Sequence, residues 1–250
     1  MPEIVTRCSY NIMSLKQMAT TRWIWVACAL LAAAGCGREE RTPEAASTPP
    51  AAPVRAADPV DAPAAARPRI VFLGDSLTAG LGLPREQSVP SLIEAKLTET
   101  GYDYDVVNAG VSGDTSAGGL NRLEWSLDGD VRVLVVELGA NDGIRGLPVD
   151  AMKRNLDQII RTAKARGIAV VLTGMEVFPS YGEGYTSEFR RVFSDLAREH
   201  GVAFMPFFLE GVAGVPELNQ GDGIHPNAEG ARIVADNLWQ TLEPILADIE

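Results

Sequence analysis

The chain has 250 residues and a formal net charge of -11, a balance that excludes the clustered Lys and Arg needed to grip nucleic acid and gives no pull toward anionic lipid. Its three cysteines, Cys8, Cys28 and Cys36, all precede residue 37, so the rest of the chain holds no disulfide, thiolate metal site or Cys nucleophile. The two histidines, His200 and His225, are too few for a His-rich metal centre.

In chain order, the first feature is an address. Lys16 and Arg22 precede an apolar run of about a dozen residues from Trp23 to Ala34, shorter than a bilayer span and of signal-peptide length. It ends in Ala33-Ala34-Gly35-Cys36, which resembles a bacterial lipoprotein cleavage box, with Ala33 where that pattern prefers Leu, Val or Ile. The resemblance implies removal of the signal within residues 1–36, lipidation of Cys36, and a periplasmic protein anchored to a bacterial membrane. Without lipidation, the same segment implies a secreted form. Residues 37–68 are dominated by Ala and Pro with almost nothing large to bury. They read as a disordered linker.

From residue 69 to 250, roughly 180 residues suffice for one compact domain. Five short apolar runs, 70–73, 104–108, 131–137, 169–174 and 203–207, are largely unbroken by charge, the character of strands buried on both faces. Helical stretches fall at 88–100, 116–126, 149–166, 186–200 and 227–248. This alternation predicts an α/β domain: a five-stranded parallel sheet covered by helices on both sides, three layers in all. Ligands of such sheets sit beyond the carboxyl ends of the strands.

The chemistry-bearing residues follow those ends. Gly74-Asp75-Ser76-Leu77 is a strand-to-helix turn. Ser76 there is either a helix cap or a nucleophile held where backbone amides stabilise an anion. Asp75 reads as a structural turn residue. Gly113, in the loop after the second strand, lets the backbone approach a substrate and donate its N–H, or else simply turns the chain, with Asp114 capping the next helix. Asn141, after the third strand, offers a side-chain amide on a rigid strand end. Asp222-Gly223-Ile224-His225 places a carboxylate three residues before an imidazole, so that one ring nitrogen is held and the other is free to act as a base. His200 closes a helix before Gly201 and is expected to meet terminal carbonyls rather than serve as that base. Residues 178–185, rich in Gly and aromatic side chains, are either a plain loop or a mobile wall for an acyl chain.

Taken together these residues resemble the SGNH hydrolases, the GDSL lipase/esterase superfamily. The four namesake positions map onto Ser76, Gly113, Asn141 and His225, with Asp222 completing a triad. Stretches 74–82, 107–115, 137–143, 174–185 and 222–227 are similar to its bacterial thioesterase-I, lysophospholipase and arylesterase branch. The lipoprotein-like start departs from the simple secretory signal of that branch. The resemblance implies a flavodoxin-like fold and hydrolysis of acyl esters, lysophospholipids or thioesters through an acyl-enzyme, with no metal and no cofactor. Ser76, Gly113 and Asn141 would form the oxyanion hole. Expected partners are a small acyl substrate and, through Cys36, a membrane; nucleic acid is not expected, and the protein is expected to be a monomer. A carbohydrate O-acetyl esterase shares the same residue set, and a non-catalytic anchored binding module is a third reading.

Overall fold

A computed structural model describes residues 67–249. The expected signal over 1–36, the lipidation site Cys36 and residues 37–66 of the linker lie outside the described residues.

The first strand, β1 (Arg69–Gly74), runs into a one-turn helix, α1 (Ser76–Ala79), and a 3-10 turn at Arg85–Gln87 leads to α2 (Val89–Thr100). Then come β2 (Asp105–Gly110), α3 (Ser116–Asn121), α4 (Leu123–Ser126), β3 (Val131–Glu137), α5 (Ala140–Ile144) and α6 (Val149–Ala165). The chain finishes with β4 (Ala169–Thr173), α7 (Glu183–His200), β5 (Ala203–Met205) and α8 (Ala228–Ile249).

All five strands are parallel, in the order β2-β1-β3-β4-β5. The chain steps one way from β1 to β2 and the other way from β2 onward. Because crossovers are right-handed, that reversal sends successive helices to opposite faces. Accordingly α2 packs against α8, while α3, α6 and α7 pack one to the next. The core is the sheet between these two layers. Val133, Leu134, Val135 and Val136 of the central strand are fully buried, the condition their unbroken apolar run requires. In α6, Val149, Met152, Leu156, Ile159, Ile160 and Ala163 are buried. Their three- and four-residue spacing is one face of a helix. No helix among the described residues is long and apolar enough to cross a membrane.

The expected elements stand, with local departures: the edge strand β2 is mostly half-buried rather than covered on both faces, since it has a neighbour on one side only. A single helix over 116–126 is two, broken at Arg122, whose φ of -106° and ψ of 5° leave helical geometry. Gly118 and Gly119 weaken that helix, and the Arg122 guanidinium is drawn to the ends of β1 and β2, donating to the carbonyls of Gly74 and Ala109. Thr115, not Asp114, caps α3 through its hydroxyl, and Asp114 instead pairs with Arg122 at 2.6 Å. Helix α7 begins at Glu183, three residues earlier than expected. There Tyr181, Tyr185, Phe189 and Phe193 form a ladder with ring centroids 5.8, 6.2 and 5.5 Å apart, and this packing outweighs the poor helix propensity of Gly184.

Candidate active site

The strand order reverses between β1 and β3, and the residues after these two strands flank that point on the carboxyl rim. Ser76 opens α1 directly after β1. Asp75 caps α1, its Oδ1 accepting the Leu77 amide at 3.0 Å. Below the turn, Glu137 at the end of β3 accepts the Asp75 amide, the Thr78 amide and the Thr78 hydroxyl on one oxygen, at 3.2, 3.2 and 2.7 Å. Gly74 is obligatory here: a Cβ would stand 2.0 Å from the Thr78 hydroxyl oxygen and 2.6 Å from that carboxyl oxygen.

The His225 imidazole reaches Ser76 from the far end of the sequence. Its Nε2 is 2.8 Å from the Ser76 hydroxyl oxygen, and its Nδ1 is 2.7 Å from Oδ2 of Asp222. With Nδ1 donating to the carboxylate, Nε2 is left to accept the serine proton. The other Asp222 oxygen accepts the amides of Ile224 and His225 at 2.9 and 3.0 Å. The two amides, then the imidazole, hold this carboxyl down at about 2. The arrangement survives although the Asp222 side chain is 45% exposed, because its partners lie within three residues.

The loop carrying this pair is pinned at both ends. Asn227 accepts the amides of Glu229 and Gly230, capping α8. Gln220 donates through Nε2 to the carbonyls of Leu81 and Pro226, at 2.7 and 2.9 Å. That joins the loop to the segment just after α1.

Asn141, in the first turn of α5, donates from Nδ2 to Oδ2 of Asp75 at 2.9 Å. A primary amide has two N–H groups, so one remains. Gly113 sits in the loop after β2 with φ of 84°, left-handed backbone that disfavours any side chain. A Cβ there would meet only the Arg145 guanidinium, at 3.7 Å. The requirement for glycine is therefore conformational rather than steric. The Gly113 carbonyl accepts from Arg145 at 2.7 Å, which ties this loop to the end of α5. As the first residue of a helix, Ser76 has an amide with no partner inside that helix.

Three groups carry more than the sequence suggested. Asp75 is a turn residue as expected, but it also fixes the Asn141 amide. Asp142, an ordinary turn residue in sequence terms, is buried and accepts the amide and hydroxyl of Ser116 at 2.7 and 2.6 Å, clamping α5 to α3. In the sequence Glu137 is only the end of a strand. The available signal is an acidic residue closing a run whose one other charge is the exposed Arg132.

His200 does not meet terminal carbonyls as expected. It lies 2.7 Å from Asp157 of α6, and Lys164 bonds the His200 carbonyl instead. Asp157, Glu199 and His200 bring ligand-type atoms within 4.8 Å of one another, at the amino end of the strands, with one pair already committed to each other. In the 178–185 stretch, Phe178 and Pro179 line a cavity of about 410 Å³, and Tyr181 and Tyr185 donate to the carbonyls of Ile144 and Leu147.

The GDSL-like lipase/acylhydrolase family model matches residues 72–233. The esterase TesA of Pseudomonas aeruginosa is 44% identical over 183 residues, 73% of this chain and 91% of that protein. The thioesterase 1/protease 1/lysophospholipase L1 of Escherichia coli is 37% identical over 184 residues, 73% of this chain and 87% of that protein. A crystal structure of TesA superposes with a TM-score of 0.68 at 43% identity, covering 72% of this chain and 99% of the other. By sequence and by fold, this chain belongs to the GDSL-like lipase/acylhydrolase family and is an esterase-type hydrolase.

Proposed function

We propose that the chain is a serine esterase in which Ser76 is the nucleophile, His225 the general base and Asp222 the group that orients the base. The observation that carries this reading is the continuous hydrogen-bonded relay from Ser76 through His225 to Asp222. The Ser76 hydroxyl gives its proton to Nε2 as its oxygen attacks the acyl carbonyl carbon. Asp222 holds the tautomer and stabilises the imidazolium. The amides of Ser76 and Gly113 and the free N–H of Asn141 take the oxyanion. The imidazolium then protonates the departing alcohol or thiol. Water, deprotonated by His225, adds to the acyl carbon, and the imidazolium returns that proton to the Ser76 oxygen as the acyl bond breaks and the acid leaves.

The substrates we propose are acyl esters of short to medium chain and lysophospholipids, with thioesters hydrolysed in vitro. The 410 Å³ cavity supports an acyl chain: Leu77, the residue after the nucleophile, is part of its wall, with Ala140, Ile144, Val177, Phe178 and Ile224. The charged residue of that wall, Glu176, pairs with Arg190 at 3.0 Å. We also propose, from the sequence alone, that the mature protein is exported and carries lipid on Cys36. Detergent phase partitioning should then move the protein to the aqueous phase when Cys36 becomes Ser; partitioning unchanged by Cys36→Ser would remove the anchor.

The deciding test is hydrolysis of p-nitrophenyl esters from acetate to palmitate, beside Ser76→Ala. Turnover that disappears in the variant and favours chains longer than acetyl supports the reading. Turnover that persists in Ser76→Ala overturns the nucleophile. Activity confined to acetyl groups, above all on acetylated sugars, replaces the lipid esterase with a deacetylase.

A further inference from the structure

Glu137 belongs to no step of the proposed mechanism, yet it is a deeply buried ionisable side chain beside the reacting serine. It is 1% exposed. One carboxyl oxygen gathers all three donors of the turn beneath Ser76, and the other, among the described residues, has no hydrogen-bond partner. The charged group facing it is Asp75, from the cap of α1, itself 1% exposed. From β4, Thr173 spends its hydroxyl on the Val136 carbonyl, and Arg122 reaches the same turn through the Gly74 carbonyl while paired with Asp114. No cation touches Glu137 among the described residues.

Two carboxylates cannot both be ionised side by side in a dry site. Asp75 has donors on both oxygens, Leu77 on one and Asn141 on the other. Glu137 has an oxygen with none. The proton therefore belongs on Glu137 and the charge on Asp75. Burial, then the neighbouring Asp75, pushes the Glu137 carboxyl well above the usual carboxylate range. Its neutral form is the one the fold favours: that contribution to stability is present below the ordinary glutamate value and is lost as pH rises through the raised one.

We propose that Glu137 is a positioning residue for the nucleophile, a neutral carboxylic acid whose single accepting oxygen sets the backbone turn that presents Ser76 and leaves Asp75 as the anion that aims Asn141. An ionised Glu137 would repel Asp75 and shift the amide that Asp75 holds. The inference rests on the reading of Ser76 as the nucleophile. It goes beyond that reading in naming what fixes its geometry.

The experiment compares the wild type with Glu137→Gln and Glu137→Leu. Gln keeps a neutral acceptor of the same shape; Leu removes the acceptor. We expect Glu137→Gln to hold kcat within about threefold, and Glu137→Leu to lower kcat on the order of a hundredfold with KM within about twofold, as misplacement of a reacting group does. Labelling of Ser76 by a fluorophosphonate should slow in Glu137→Leu by the same factor. Infrared spectra at pH 8 should contain a carboxylic-acid C=O band that Glu137→Gln lacks. Glu137→Leu within threefold of wild type, Glu137→Gln falling as far as Glu137→Leu, or no such band would each overturn the proposal. Should Glu137→Leu fail to fold, Thr78→Val removes the shortest of the three bonds: a kcat loss of about tenfold at constant KM supports positioning, and an unchanged kcat overturns it. A wild type whose turnover survives Ser76→Ala would defeat the esterase reading instead, and the infrared band would still decide the state of Glu137.

Discussion

At Asp222 three hydrogen bonds act on one exposed carboxylate, and their effect on acid behaviour is specific. With its carboxyl held down at about 2, Asp222 stays ionised throughout the range in which the enzyme can be assayed. A protonated imidazole cannot accept from Ser76, and Asp222 adds no proton of its own to that loss. The acid limb of kcat/KM should therefore fall without protonation of Asp222; an Asp222 carboxylate infrared signal lost in step with kcat/KM would show it titrating alongside. At Asn141 one N–H is committed to Asp75 and the other is the proposed oxyanion donor. Asn141→Ala removes both, and loss of one oxyanion donor costs about 3–4 kcal/mol, so kcat should fall roughly a hundred- to thousand-fold. An Asn141→Ala kcat within threefold of wild type would remove that assignment.

Among elements, the ladder of aromatic rings along α7 carries a clear stability prediction. Phe189 is fully buried, stacks on Tyr185 and meets Phe193 edge-on. Phe189→Ala should destabilise the domain by about 3–5 kcal/mol, read as a lower urea midpoint at unchanged m-value; a cost below about 1 kcal/mol would mean the ladder is not part of the core. The same region shows what the sequence could and could not convey. Strands such as β3 were legible because burial on both faces leaves a nearly continuous apolar run, here Val133 to Val136. Helix α6 was legible because its buried positions repeat every three or four residues. Helices α1 and α5 span 4 and 5 residues, too short to show any period, and both are held by side chains from elsewhere: Glu137 in one case, Ser116 in the other. The break at Arg122 comes from tertiary contacts, as do the bonds that the Tyr181 and Tyr185 hydroxyls at the early start of α7 make to the Ile144 and Leu147 carbonyls, and local propensity encodes neither.

On the scale of the whole molecule, the site is assembled from opposite ends of the chain. Ser76 and Asn141 follow the two strands that bound the reversal of strand order, and right-handed crossovers alone bring them together. Their residue types were recognisable in the sequence because each follows a strand. Glu137 was not recognisable as part of the site, because its three hydrogen bonds exist only once β1 and β3 are in register, Gly74 beside Glu137. Asp222 and His225 were legible as a pair from their spacing of three. Their approach to Ser76, 149 residues earlier, depends on a loop rather than on the sheet.

That loop is where a remote substitution should act on turnover. Gln220 is its cross-brace, since one side-chain nitrogen holds both the Leu81 carbonyl behind α1 and the Pro226 carbonyl beside His225. Neither contact involves a group that exchanges protons with substrate. Gln220→Ala leaves the 2.7 Å Asp222–His225 bond intact, because that bond closes within three residues. What it frees is the distance between imidazole and hydroxyl, which spans the chain. Displacing a reacting group by about 1 Å can cost on the order of a hundredfold, and partial loosening of a loop still capped by Asn227 should cost less. We expect Gln220→Ala to lower kcat by about tenfold with KM and thermal midpoint nearly unchanged. The acid limb should keep the wild-type slope, because the Asp222 carboxylate retains all three of its hydrogen bonds. Steady-state kinetics across pH, beside a melting curve, separate this outcome from the alternative. A thermal midpoint that falls in step with kcat would make Gln220 a support of the fold rather than of the encounter between His225 and Ser76.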